Sequence, residues 1–284
     1  MKILEDKWFR EYTENMKYDP LHYERDRYTR AMGDRNDLPY WFGQVKDCGF
    51  RMPETKIIQM PLLLWSEMHM QLDGLQKEFL KKLGRFVEAN WDLVPGDLDI
   101  DGRLFYRSGT SSGKFCMEKN CIVGSKAEIP IRIYNTFYEG ECMGKPESVF
   151  LVFREFITTE EERPEIYYGL KLNTEFRIFY DFDEHRFIQG FNYWGDHDAM
   201  VMHMVEEQQK PYEEAYPLLV SEYERLLPSL KSECEEKLKD VHLNGKWSVD
   251  FMWTGKEFVL IDMALARNSY FADRLPDEEK EDGE

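Results

Sequence analysis

Two acids stand where a pair of strands would bury them. Residues 247–271, WSVDFMWTGKEFVLIDMALARNSYF, read as two strands around the turn Thr254-Gly255-Lys256. Trp247, Val249 and Phe251 alternate with Ser248, Asp250 and Met252, and the second run, 258–263, is apolar except for Asp262. Successive strand residues point to opposite faces, so the length of the turn decides whether the acids meet. A three-residue turn pairs Asp250 with Leu260 and leaves Asp262 on the same face, one diagonal step away; a two-residue turn separates them. Carboxylates among apolar side chains need a positive partner. That partner is either a Lys or Arg for each acid or a divalent metal, which takes carboxylate oxygens and can also hold phosphates.

At 284 residues the chain suffices for one large domain or two small ones, and its 42% apolar content supports a packed core. The 55 acidic residues outnumber the 37 basic ones, for a formal charge of −18. Such a balance argues against general binding to nucleic acid or to an anionic membrane, both of which need clustered cations. It leaves room for a local basic pocket that takes a nucleotide. Five cysteines form no CxxC pair, and no His lies beside Cys116 or Cys121. They read as reduced thiols in a cytoplasmic protein rather than as a zinc site. No apolar run approaches the roughly 20 residues that span a bilayer, and the charged, aromatic N-terminus does not look like a signal peptide.

In chain order, helices are expected over 8–16 and 21–31, then a short strand within 52–61. A single long helix is expected over 62–90, from Leu72, Leu75, Phe79, Leu80, Leu83 and Phe86 at helical spacing. A second structural unit starts near residue 95. Asp97, Asp99 and Asp101 resemble half a calcium loop but lack its closing Glu. Arg107-Ser-Gly-Thr-Ser-Ser-Gly-Lys114 follows a short strand. Its small residues bring backbone N–H groups close to an anion, and Arg107 and Lys114 add charge; the same loop also reads as a surface turn. Its spacing is not that of a Walker loop. Residues 148–157 read as a buried strand ending in Arg154-Glu155. In the alternating strand expected over 172–180, Glu175 and Arg177 share one face. His197, among Asp196, Asp198 and His203, reads as part of a polar loop. Pro211, Pro217 and Pro228 divide 205–240 into two or three helices.

The order of these motifs resembles the ATP-grasp family, and within it a group of bacterial and phage ATP-grasp domain proteins. The residues that carry the resemblance are Arg107 to Lys114, Phe153-Arg-Glu-Phe156, Glu175-Phe-Arg-Ile-Phe179, Val249-Asp250 and Ile261-Asp-Met-Ala264. It implies an α+β fold in which two lobes sandwich ATP, over roughly residues 100–272. The chain then divides into a partly helical N-terminal region (1–95) that could contribute to substrate binding, an ATP-grasp domain (96–272) and a disordered acidic tail (273–284). Carried over, the resemblance gives Lys114 and Arg107 to the ATP phosphates, and Glu155, Phe156 and Ile157 to the adenine hinge. Arg177 would neutralise charge on the transferred phosphoryl group, with Lys114 beside it. Asp250 and Asp262 would hold Mg2+, and Glu175 would serve the ribose or the same cleft. One departure is Ala264, where many ATP-grasp enzymes have Asn; Asn268 and Ser269 are the candidates to compensate.

The activity implied is an ADP-forming ligase. It would join a small-molecule or peptide carboxylate to an amine or thiol. The alternatives are a nucleotide-binding assembly chaperone or regulator with a protein partner and little turnover, as in a eukaryotic relative of that fold, or a kinase on the same scaffold.

Overall fold

The computed structural model describes residues 20–72, 74–91, 103–159 and 161–280. The helix expected over 8–16 and the Asp97, Asp99, Asp101 run lie outside these residues. The first helices are α1 (Pro20–Met32) and α2 (Leu38–Val45), followed by β1 (Thr55–Gln59). Then come α3 (Leu62–His69), α4 (Lys77–Ala89), β2 (Leu104–Ser108), α5 (Met117–Asn120), β3 (Ile122–Val123), α6 (Ile129–Cys142) and β4 (Phe150–Glu155). The second half holds β5 (Glu165–Ile166), β6 (Leu170–Lys171), β7 (Glu175–Asp181) and β8 (Arg186–Asn192). It closes with α7 (His197–His203), α8 (Glu206–Lys237), β9 (Lys246–Trp253) and β10 (Phe258–Leu265). The class is α+β, as the sequence predicts.

Two four-stranded antiparallel sheets carry the architecture, in the orders β1-β4-β2-β3 and β10-β9-β7-β8, with β5 and β6 as a separate short hairpin. Period-two alternation gives each sheet an apolar and a mixed face. In the first, Ile58, Leu104, Tyr106, Leu151 and Phe153 pack with Trp65, Leu83 and Ile133 from the covering helices. The intervening residues Phe105, Arg107 and Arg154 therefore point the other way. In the second, Phe176, Ile178, Val249, Phe251 and Leu260 pack against Trp41 of α2 and Leu226, Leu230 and Cys234 of α8. That alternation sends Glu175, Arg177, Asp250 and Met252 to the opposite face. The mixed faces of the two sheets meet, and a cleft lies between them.

Five local expectations are corrected. The β9–β10 turn is four residues long, because Trp253 pairs with Phe258. In a regular ladder this register would put Asp250 and Asp262 on opposite faces. A bulge between Leu260 and Asp262 adds one residue, so Asp262 pairs directly with Asp250. The acids share a face, through the bulge rather than through the expected Asp250–Leu260 register.

The helix expected over 62–90 breaks into α3 and α4. Gln71 supplies the connection: its side-chain oxygen accepts from Gln76 N at 3.0 Å, and its carbonyl accepts from Tyr134 at 3.0 Å. Residues 205–240, by contrast, form one helix of 32 residues that runs through all three prolines. The carbonyls that these prolines leave without an N–H belong to Glu207, Glu213 and Glu224, all exposed residues on the solvent side of the helix. Seven buried positions on the other side, from Tyr212 to Cys234, hold the helix to the body of the protein. The polar loop expected at His197 is the short helix α7, and Asp196 accepts from Tyr270 Oη at 2.7 Å and bonds Arg274.

Residues 273–280, within the stretch expected to be disordered, are tied down. Leu275 is buried, and Glu279 bridges Lys246 and Arg186 at 2.9 and 2.8 Å. No helix among the described residues is long and apolar enough to cross a membrane. If burial rather than helix propensity holds α8 through its prolines, Leu230→Ala should cost about 2–5 kcal/mol by chemical denaturation. Exchanging exposed Pro217 for Ala should leave stability unchanged or raise it. A large loss in the proline variant would contradict this account.

Candidate functional site

The cleft is an open cavity of ≈ 120 Å³. Phe105 and Arg107 of β2, Arg154 and Glu155 of β4, Glu175 of β7, Met252 of β9 and Asp262 of β10 line it. Lys114 and Met117 close one side, and Leu170 and Lys171 of the β5–β6 hairpin another. Its apolar lining comes from Phe105, Met117, Phe156, Ile157, Leu170 and Met252.

Charged groups gather where the sheets approach. Arg177 and Asp250 are cross-strand partners on β7 and β9. The guanidinium grips both carboxylate oxygens, at 2.8 and 2.7 Å, a fork geometry that adds orientation to charge. Arg107, on the first sheet, reaches Asp262 on the second at 2.8 Å. It also donates to the carbonyls of Ser108 and Gly109, so its own loop fixes its direction. Lys114 lies 3.8 Å from Glu175 Oε2. Tyr193 presents its ring to both Lys114 (5.0 Å) and Arg177 (4.9 Å).

The electrostatics follow from this crowding. Burial pushes the Glu175 carboxyl up and Asp250 adds to it, against the pull of Lys114 and Arg177. Burial would also raise Asp262, but Arg107, Lys114 and Arg154 outweigh it and hold that carboxyl below its ordinary value. For Lys114, burial favours the neutral amine; Tyr193, Glu175, Asp250 and Asp262 reverse the balance and hold the ammonium above its usual range. Arg107, Lys114, Arg154 and Arg177 thus face Glu175, Asp250 and Asp262. The cations outnumber the carboxylates by one, in a chain whose overall charge is −18.

Every residue singled out by sequence for the site, except Arg177 and Asp250, lines the cavity itself, and those two bond each other in the same cluster. Glu155 turns partly outward, bonded to Arg51 and to the backbone N–H of Glu54 at 3.2 Å. Asn268 and Ser269, the candidates to stand in for the Asn replaced by Ala264, make hydrogen bonds of their own, Ser269 to the cross-strand partner of Ala264. Asn268 accepts from Asn36 at 3.5 Å, and Ser269 bonds Ser248 at 2.5 Å.

Sequence reasoning missed Arg154 as a site residue. Its guanidinium donates to Thr55 at 3.0 Å and to the Ile261 carbonyl in the bulge, and its buried Nη2 has no hydrogen-bond partner. Its signal was present, a cation inside an apolar strand. Tyr193 and the β5–β6 hairpin carried none.

No protein-family model matches the chain, and neither does any curated protein. Among solved structures, Cdc123 from Schizosaccharomyces pombe is similar over 87% of this chain and 93% of its own, at 13% identity and a TM-score of 0.48. D-Alanine-D-alanine ligase from Helicobacter pylori is similar at 11% identity and a TM-score of 0.39, over 81% of this chain and 50% of its own. The Bacillus anthracis ligase, solved in complex with ATP, gives 13% identity and 0.35, over 82% and 54%. This chain therefore spans about half the length of those ligases. Scores this low leave function to the chain's own residues.

Behind the Gly-Lys loop, Asp37 is buried and accepts from Ser148 Oγ at 2.8 Å. A Cβ at Gly109 would come within 1.5 Å of its Oδ1, so only glycine fits there. Burial raises this carboxyl from 3.8 to about 7, with Ser148 and Arg107 opposing. The folded chain therefore keeps a proton that the unfolded chain releases. The associated stability is complete below the unfolded value and is lost as pH rises towards 7. Asp37→Asn should thus gain stability relative to wild type as pH rises from about 4 to about 8, by at most about 4 kcal/mol. Parallel Tm profiles for the two proteins would contradict this.

Proposed function

We propose that the cleft binds ATP with Mg2+ and uses it as an ADP-forming ligase of the ATP-grasp type, activating a carboxylate for attack by an amine or thiol. The observation that carries this reading is the surplus of buried cations beside an apolar-walled cavity. A polyphosphate supplies the missing negative charge, and the apolar walls accept a flat base. Lys114 and Arg107 would hold the phosphates. The end of β4, at Glu155, Phe156 and Ile157, would border the adenine, with Met117, Leu170 and Met252 as walls.

The donor set fits a hard divalent cation. Asp250 and Asp262 face each other across a strand pair, and the buried Glu175 Oε2 beside them has no hydrogen-bond partner. When bound, the metal would supply charge neutralisation to the phosphates.

In the reaction proposed, the substrate carboxylate attacks the terminal phosphorus and the bond to ADP breaks. An amine or thiol then attacks the acyl carbon, loses its proton, and phosphate departs. Arg177 and Lys114 stand where negative charge builds on the transferred group, already oriented by Asp250, Glu175 and Tyr193. Closing the substrates between the two sheets would keep both of them close to these cations.

A second reading has its own support. Both oxygens of Asp250 are committed to Arg177, and Ala264 offers no ligand. This favours a nucleotide-holding assembly chaperone or regulator with little turnover.

Calorimetric titration of ATP with and without Mg2+ tests the shared premise. Metal-dependent binding is expected, weakened about tenfold or more, roughly 1.4 kcal/mol, by Lys114→Ala and by Asp262→Asn. No binding to the wild type would overturn both readings. Given binding, release of ADP and phosphate with carboxylate and amine acceptors supports the ligase. Tight binding without release supports the chaperone, and AMP with pyrophosphate contradicts the ligase.

A further inference from the structure

A second cluster lies apart from the cleft, behind the first sheet's helices. His69 ends α3, Glu141 lies in the last turn of α6, and Glu147 precedes β4. One ligand atom from each falls within 4.8 Å of the others. The imidazole Nε2 is 3.9 Å from Glu141 Oε1 and 3.6 Å from Glu147 Oε1.

The ring itself is held for ligation. Its Nδ1 is 2.9 Å from the carbonyl oxygen of Trp65. A carbonyl only accepts, so Nδ1 carries the proton, and Nε2 of the neutral ring presents its lone pair. Trp65 and Phe137 clamp the ring edge-to-face at 4.4 and 4.9 Å. The His69 side chain is only 10% exposed, and its Nε2 is buried with no hydrogen-bond partner, aimed at the two carboxylates. A ring N–H on a backbone carbonyl is the arrangement that fixes the tautomer of metal-ligating histidines.

We propose that His69, Glu141 and Glu147 form a binding site for a divalent transition metal of the zinc type. One imidazole nitrogen and two carboxylate oxygens supply three ligands, and water supplies the fourth. Bonds of about 2.0–2.2 Å in a tetrahedron put ligand atoms roughly 3.3–3.6 Å apart; both imidazole–carboxylate distances are within a few tenths of an ångström of that, and the two carboxylates, within 4.8 Å of each other, close the remainder by side-chain rotation. The adjoining cavity, ≈ 30 Å³ and lined by all three residues, has room for the water.

The surrounding charges permit it. Arg27 bonds Glu147 and, at 3.2 Å, Glu24, and Lys145 also lines the cavity. Three acids against these two cations leave one negative charge with His69 neutral. The metal would tie α3, α6 and the segment before β4 into one unit. Thr110 of the Gly-Lys loop donates to Pro146 in that segment at 2.6 Å, so the unit also backs the loop.

The test is titration of the reduced, full-length protein with Zn2+ against a chromophoric chelator, together with the visible spectrum of its Co2+ form. One equivalent is expected to bind, with a tetrahedral Co2+ band. His69→Phe, which keeps the packed ring, and Glu141→Gln, at a partly exposed position, should each weaken binding by about tenfold or more. Cys142→Ser and Asp262→Asn should leave it unchanged, which separates this site from the exposed thiol nearby and from the nucleotide cleft. Absence of binding tighter than about 0.1 mM would overturn the proposal, as would binding indifferent to His69→Phe and Glu141→Gln.

Discussion

Arg107 and Asp262 meet across the gap between the two sheets, and the cleft depends on that bridge. Neither charge belongs in a protein interior by itself. Arg107 is there because β2 alternates, with Leu104 and Tyr106 in the helical core and Phe105 and Arg107 turned away. Asp262 is there because a bulge in β10 turns it to the face of Asp250. Each is the nearest partner that makes the other's burial tolerable. Arg154 completes the link by donating to the bulge carbonyl itself, so the first sheet holds the irregularity that positions the second sheet's acid.

The same logic explains why the cleft is poised rather than neutral. Ion pairs inside a protein are weak sources of stability, since desolvation consumes much of their attraction. Four cations against three carboxylates is a poor arrangement for stability alone. It is a good one for holding an anion in a site where water screens little. The ion pairs then orient the cations in advance of the ligand.

Much of this was legible in the sequence, for a physical reason. Strand alternation is a strict period of two, so a charged residue inside an apolar run announces which face it takes; Glu175, Arg177, Asp250 and Asp262 were found that way, and Arg107 and Lys114 through the small-residue loop they flank. What stayed hidden depended on tertiary contacts. The bulge at Ile261 rests on the contact of Arg154 with its carbonyl and on the four-residue turn, and no local pattern in the sequence shows that Arg154 meets that residue. The three prolines in α8 look like helix breaks, and only the exposure of Glu207, Glu213 and Glu224 shows why they are tolerated. The break between α3 and α4 rests on one side chain, Gln71. His69 escaped notice because its partners are about 70 residues away.

The most direct test of the central claim is a crystal structure of the protein with Mg2+ and a non-hydrolysable ATP analogue. The account predicts the triphosphate between the two sheets, beside Lys114 and Arg107, with the base against Met117, Leu170 and Met252. Metal density should lie at Asp262, on the face it shares with Asp250. A nucleotide bound elsewhere, or a cleft empty at saturating analogue with the Arg107–Asp262 bridge intact, would contradict it.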